Sequence, residues 1–248
     1  MKSFYLLFLQ EIHRLKRHAS SYFIAALFLF IMGFNFLYIL FLNAQNPTTT
    51  PCLQSFFEIF WIPSLFIIPL LTMRTLSEDQ RSGILESLLS TPIGTRSLVL
   101  SKVFSVYCFY LLLWGLNLIY PFFADYHLQG DLSAPLIQST PLIGGLIFIC
   151  SSSFLFICIG VFASSLTRTQ SLAGFLCFCF LFIGLVCIKI FCEIGYLEND
   201  LGIYMDCFQQ LDDLCKGSLD IRPLLFHIGG GLLFFILTTT VLENKLLR

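Results

Sequence analysis

The chain has 248 residues, of which 57% are hydrophobic and 12% are charged, with a formal net charge of −1. Soluble domains carry roughly a quarter charged residues, so this composition, with a mean hydropathy of +0.85, excludes a soluble protein and predicts an all-α integral membrane protein. No basic tract is dense enough for nucleic-acid binding, so we expect no nucleic-acid partner.

The first segment, residues 2–18, is amphipathic. Its apolar residues recur at helical spacing: Phe4, Phe8, Ile12 and Leu15. Its basic residues gather at the far end: Arg14, Lys16 and Arg17. Because a secretory signal peptide carries its basic residues before the apolar core, the pattern instead predicts an interfacial helix lying on membrane lipid at the cytoplasmic leaflet.

Six apolar runs follow, each long enough to cross a membrane as a helix. They lie at about residues 22–42, 55–73, 98–123, 141–164, 172–191 and 223–241. We interpret residues 1–248 as one transmembrane domain. An even number of spans places both termini on the same side of the membrane.

The distribution of basic residues predicts which side that is. Eleven lie on the side of the termini: Lys2, Arg14, Lys16, Arg17, Arg74, Arg81, Arg96, Lys102, Arg168, Lys245 and Arg248. The opposite loops hold only Lys216 and Arg222. Because cytoplasmic loops carry the excess of Lys and Arg, we predict that both termini are cytoplasmic.

The loop between the second and third spans, residues 74–102, is the one sizeable polar stretch between spans on this side. Ser77 and Gln80 have the spacing of a capping box. Glu78 and Asp79 follow Ser77 in the first turn, where a helix N-terminus favours negative charge. The loop is therefore predicted to begin with a helix at Ser77.

This predicted helix ends before Pro92 and Gly94, which stop helices. Between these limits its apolar residues form one face: Ile84, Leu85, Leu88 and Leu89. The pattern predicts a short amphipathic helix at the cytoplasmic surface, where a partner that drives the protein from inside the cell would act.

The acidic segment 192–222 is too long for a tight turn. Some of its residues recur at helical spacing: Phe208, Leu211, Leu214 and Cys215. Two interpretations stay open, short interfacial helices on the outer surface or a solvated loop. The sequence also leaves open whether Cys207 and Cys215 form a disulfide, since an outer compartment can be oxidising.

No known catalytic or nucleotide-binding pattern occurs in the sequence, which lacks a P-loop, a Gly-x-Ser-x-Gly elbow and a His-Glu-x-x-His motif. We therefore predict no catalytic, cofactor-binding or metal-binding residue and no enzyme activity in this chain. Glu58 and Lys189 lie within apolar runs, where ionisable residues are functional candidates. Both lie near the outer ends of their spans, so snorkelling to the interface or a mutual ion pair explains them. No carboxylate lies at the midplane, which argues against a secondary transporter.

Three stretches of the sequence resemble, in the same order, those of a known protein family. The central loop has the pattern Glu-x-x-x-x-Gly-x-x-Glu-x-Leu-Leu-x-x-Pro followed by a lysine, at Glu78, Arg81, Gly83, Glu86, Leu88, Leu89, Pro92 and Lys102. Residues 159–170 and 208–222 supply the other two stretches. Together with the six spans, these resemble the permease subunits of ABC-2 type ATP-binding-cassette transporters, in the gliding-motility-type branch. The chain departs from that pattern at Ile84, where Thr is usual, and at Ser101, where Gly is usual.

The resemblance implies the membrane half of an exporter, whose loop helix is a coupling helix that docks on an ATP-binding subunit. The residues so implied are Glu78, Asp79, Arg81, Gly83, Glu86, Leu88, Leu89 and Pro92. It also implies two permease subunits, as a homodimer or a heterodimer, and ATP and Mg²⁺ on the partner ATPase, in a bacterial cytoplasmic (inner) membrane. The alternatives are an accessory subunit of a membrane-embedded enzyme and a channel or secondary transporter. Similar folds export varied substrates, so none is predicted.

Overall fold

The computed structural model describes residues 2–45, 51–85, 94–128, 137–194, 205–218 and 220–246. These residues contain no β-strand, which confirms the predicted all-α class. The helices are α1 (Lys2–Arg17), α2 (Ala19–Gln45), α3 (Cys52–Glu58), α4 (Trp61–Thr72), α5 (Ser77–Arg81), α6 (Thr95–Asn117), α7 (Ile119–Leu128), α8 (Ser139–Leu166), α9 (Gln170–Phe182), a π-helical turn (Ile183–Cys187), α10 (Ile188–Glu193), α11 (Cys207–Cys215) and α12 (Ile221–Leu246).

Five helical runs within the described residues are long and apolar enough to cross a membrane, and a bent pair makes a sixth when it is counted as one span. The five are Ala19–Gln45, Thr95–His127, Ser139–Leu166, Gln170–Glu193 and Ile221–Lys245. The sixth joins α3 to the run that begins with α4. The predicted apolar runs overlap all six, and the helices extend a few residues beyond most of them.

Two of these spans are broken by proline. α3 and α4 meet at a 42° bend at residues 59–60. Pro63 lies four residues after Ile59, so it lacks the N–H that would bond the Ile59 carbonyl and its ring crowds that carbonyl. Pro121 likewise lies four residues after Asn117, the last residue of α6, and cannot donate a hydrogen bond to the Asn117 carbonyl. The second and third spans are therefore not the uninterrupted helices that their apolar runs predict.

α8 is the central helix, and it packs against α4, α6, α9, α11 and α12. Small residues on α8 allow this close approach. A Cβ at Gly145 would lie 2.3 Å from the Phe57 ring, and one at Gly160 would lie 2.4 Å from the Thr72 hydroxyl. The core of the bundle thus forms where α8 can bring its backbone against its neighbours.

The acidic segment is helical over part of its length, as one of the two interpretations predicted. The Asp206 carboxylate caps α11 by accepting a 2.9 Å hydrogen bond from the Phe208 N–H. The disulfide that the sequence left open is not formed, because Cys207 and Cys215 are both free thiols. They lie eight residues apart on one helix, which separates their Cα atoms by about 12 Å, whereas a disulfide needs less than about 7 Å. Residues 195–204 of this segment lie outside the described residues.

Candidate partner-docking site

The stretch that follows α4, residues 73–85, is called here the α5 segment. α5 ends at Arg81, and Gly83 follows with a φ of +72°, a left-handed conformation that glycine adopts without steric cost. The predicted longer helix is therefore wrong within the described residues, because the chain turns at Gly83. Ile84 and Leu85 of the predicted apolar face both follow this turn, and Ile84 is 52% exposed whereas Leu85 is 4% exposed. Leu88 and Leu89 lie outside the described residues.

The predicted capping box at Ser77 and Gln80 is also wrong. The Ser77 hydroxyl donates to the Met73 carbonyl, and the Gln80 side-chain amide donates to the Ser165 carbonyl at 3.0 Å. The chain enters α5 through helical turns, with Leu76 in the αR region, instead of the extended conformation that a capping serine requires. The box fails because its side chains are used elsewhere.

A residue from another helix caps α5 instead. The Ser164 hydroxyl, at the end of α8, accepts hydrogen bonds from the Leu76 N–H at 3.1 Å and from the Ser77 N–H at 3.0 Å. The same hydroxyl lies 3.3 Å from the Met73 carbonyl oxygen, to which it can donate. The free N–H groups at the start of the helix are thus satisfied by a tertiary contact.

Asp79 lies inside a cluster of four charges. Its carboxylate is 2.7 Å from Arg14 Nη1 and 2.5 Å from Lys102 Nζ. Lys102 Nζ is also 2.8 Å from Glu11 Oε1, and Arg14 Nη2 is 2.9 Å from Glu11 Oε2. The Lys102 side chain is 1% exposed and that of Asp79 is 2% exposed. We refer to Glu11, Arg14, Asp79 and Lys102 as the charge cluster.

The charge cluster holds two cations and two anions, so its formal charge cancels. Burial lowers the pKa of the Arg14 guanidinium, but the nearby Glu11 and Asp79 carboxylates outweigh it, so the pKa is raised above its ordinary value. Removing one member of a buried, hydrogen-bonded ion pair leaves an uncompensated charge, which costs about 3–5 kcal/mol. The cluster therefore ties α1, α5 and α6 together strongly.

The far side of α5 is fixed by the end of α12. Lys245 Nζ donates to Gln80 Oε1 at 2.9 Å and to the Ser165 carbonyl at 2.6 Å. A lysine suits the last carbonyl groups of a helix such as α8. The five residues of α5 therefore form polar contacts with four helices, α1, α6, α8 and α12, and also pack against α9.

The structure divides the predicted docking residues into three groups. Arg81 and Gly83 are exposed, together with Ser82 and Ile84, and Glu78 is half-buried beside them. Asp79 is buried in the charge cluster, so its carboxylate is occupied within the chain. The remaining predicted positions, Glu86, Leu88, Leu89 and Pro92, lie outside the described residues. The accessible part of the α5 segment thus presents a basic, an acidic and an apolar side chain. Contacts between α5 and the other helices hold it in place.

The two other predicted charges lie elsewhere and have separate contacts. Glu58 Oε1 accepts a 3.2 Å hydrogen bond from the Gln54 side chain. Lys189 Nζ is 3.8 Å from Glu193 Oε1 and 4.0 Å from the centre of the Phe208 ring. An ion pair between Glu58 and Lys189 is therefore not formed in this structure.

Sequence reasoning missed five residues that build the site: Glu11, Arg14, Lys102, Ser164 and Lys245 as partners of α5. A weak signal was present for the first pair, because Glu11 and Arg14 are three residues apart and such residues are neighbours on a helix. Arg14 meets Asp79 across 65 residues of sequence and Glu11 meets Lys102 across 91, and periodicity gives no information over such distances.

In the part of the chain that the structure describes, no group of three or more His, Cys, Asp or Glu side chains is arranged to hold a metal ion. No protein-family model and no curated protein matches this chain. The geometry of the α5 segment and the arrangement of the spans are therefore the features that bear on its function.

Proposed function

We propose that this chain is the transmembrane permease subunit of an ATP-driven, ABC-2 type exporter. The observation that carries the proposal is the α5 segment, which lies between two spans, forms polar contacts with four helices and exposes Arg81 and Ile84 beside Glu78. A partner that displaces this segment would act on all four helices at once. Such an arrangement suits a subunit that receives mechanical work.

In this proposal the work comes from a separate ATPase subunit that binds ATP and Mg²⁺. The chain itself then performs no catalysis and binds no cofactor. Two permease subunits, identical or similar, would pair in a bacterial inner membrane and bind two ATPases. The spans form a multi-pass bundle, and the predicted excess of basic residues supports a cytoplasmic position for both termini and for the α5 segment.

α1 supports the same orientation. It carries Arg14, Lys16 and Arg17 in its last turn and packs along α6. Tyr5, Leu6 and Leu9 are exposed, and they form an apolar surface that membrane lipid would cover. α1 is thus proposed as an interfacial helix beside the docking surface.

The exposed charges of the α5 segment should determine capture of the ATPase. We expect the double reversal Glu78→Lys with Arg81→Glu to lower the yield of co-purified ATPase by about tenfold or more, because charge pairs desolvated at an interface are worth roughly 2–5 kcal/mol. The measurement is the amount of ATP-binding-cassette ATPase that co-purifies with the tagged chain from its native membrane. Arg81 is exposed and Glu78 is half-buried, and neither belongs to the charge cluster, so the protein should insert as the wild type does.

Lys216→Glu provides a matched reversal at the opposite end of the bundle. Lys216 is exposed and pairs with Asp212 in the same helical turn, so its reversal should leave ATPase yield unchanged. Equal yields from the α5 double variant and from the wild type would contradict docking at this segment.

A further inference from the structure

Lys102 joins three separate pieces of the chain. An ammonium group has three hydrogen-bond donors, and Lys102 Nζ has three acceptors: Glu11 Oε1 at 2.8 Å, Asp79 Oδ2 at 2.5 Å and the Thr75 carbonyl at 2.8 Å. The first acceptor belongs to α1, and the other two belong to the α5 segment. All donors of a fully buried cation are therefore used to hold these two elements on α6.

A second contact runs directly between α1 and the α5 segment. Arg14 Nη1 donates to Asp79 Oδ1 at 2.7 Å. Only His18 separates α1 from α2, and the adjoining Ser20 hydroxyl accepts a 2.7 Å hydrogen bond from Arg74. A displacement of the α5 segment would thus reach both α1 and the beginning of the first span.

We propose that Lys102 is a positioning residue that joins α1 to the α5 segment, so that the two move as one unit. The use of this linkage in transport rests on the proposed function, but the linkage itself does not. The competing explanation is that apolar contacts alone hold α1, such as the edge-to-face packing of Phe4 on Phe104 and its lipid-facing side. The two explanations differ in what α1 does when the lysine charge is removed.

Hydrogen exchange measured by mass spectrometry on the full-length chain in nanodiscs, without any ATPase, tests this. Lys102→Met should raise the exchange rate about threefold or more in peptides from residues 9–17 and 75–81 together, because local opening follows the loss of buried contacts. Peptides from α11, which packs against α8 and α3 at the opposite end of the bundle, should exchange as in the wild type. Lys16→Met, the same change at an exposed position of α1, should alter neither peptide.

Two further variants separate charge from shape. Lys102→Arg keeps the cation and should exchange more slowly than Lys102→Met in both peptides. Glu11→Gln removes the negative charge while keeping the size of the side chain, and it should raise the exchange rate in the same two peptides by a smaller factor. If Lys102→Met fails to fold, the Glu11→Gln variant tests the proposal instead.

Faster exchange in residues 75–81 with wild-type exchange in residues 9–17 would overturn the proposal, because α1 would then be held independently. Equal exchange in the Lys102→Arg and Lys102→Met variants would also overturn it. Since no ATPase is present, a failure of ATPase docking at Glu78 and Arg81 would leave this result unaffected.

Discussion

At the scale of single residues, the position of the α5 segment depends on side chains that act on backbone groups of other elements. Ser164 is fully buried, and its hydroxyl serves two N–H groups of the α5 segment. The next residue, Ser165, uses its hydroxyl within its own helix, where it donates to the Phe162 carbonyl. Two adjacent serines therefore have different roles, although the sequence alone does not distinguish them.

Ser164→Ala should destabilise the protein more than Ser165→Ala. The first change leaves two buried N–H groups without an acceptor, and each unsatisfied buried group costs about 1–3 kcal/mol. Two such groups cost at least about 2 kcal/mol, and about 1 kcal/mol lowers Tm by about 2–4 °C in a chain of this size. We therefore expect Tm to fall by about 4 °C or more for Ser164→Ala, measured by thermal unfolding in detergent. Ser165→Ala removes only a bond within α8 and is the control. Equal shifts for the two variants would contradict the capping role of Ser164.

At the scale of elements, the bundle depends on places where α8 carries no side chain. Gly144 lies against the backbone of α11, so that a Cβ at this position would be 2.1 Å from the Leu214 carbonyl oxygen. A backbone neighbour cannot rotate away as a side chain can. α11 is therefore held at a spacing that only glycine permits at position 144.

Gly144→Ala should displace α11 from α8. Overpacking of this kind costs about 1–3 kcal/mol, and the displacement should increase the labelling of Cys215, a buried thiol on α11, by a maleimide. The control is Gly115→Ala, because nothing lies within 4 Å of a Cβ at Gly115 and alanine favours a helix. Unchanged labelling of Cys215 in the Gly144 variant would show that α11 can adjust its position freely.

At the scale of the whole molecule, the polar network gathers at one end of the bundle. The charge cluster, the α5 segment and Lys245 all lie there, and the opposite end carries α11 with Asp206, Asp212 and Lys216. Basic residues on the α5 side match the cytoplasmic excess that orients membrane proteins. This asymmetry connects the proposed orientation with the proposed docking surface.

A reporter that is active only outside the cytoplasm should remain silent when it is fused after Arg248. We expect this because six spans with basic loops at the α5 end would place the C-terminus inside the cell. The same reporter inserted between Lys216 and Gly217, at the α11 end, should be active and serves as the positive control. Activity of the fusion after Arg248 would reverse the proposed orientation.

The sequence was sufficient to locate the spans, because each is an apolar run of about 20 residues, a signal contained within the run itself. Proline positions alone do not locate the breaks: Pro63 and Pro121 each follow a break by four residues, but Pro69 lies inside α4 without interrupting it. The surroundings of Asp79 could not be predicted either, because Arg14 and Lys102 meet it only in the packed bundle. The capping box failed for the same reason, as Ser164 supplied the cap from a distant helix.

The two free thiols of α11 are buried, and their pKa values are raised. Burial, assisted for Cys207 by Asp206 and for Cys215 by Glu58 and Asp212, raises the pKa of each thiol to about 12. At neutral pH both therefore stay protonated, and the thiolate is the form that attacks disulfides. The fold of this end of the bundle depends on packing and hydrogen bonds instead of a covalent bridge. Its stability should consequently be the same in reducing and oxidising surroundings.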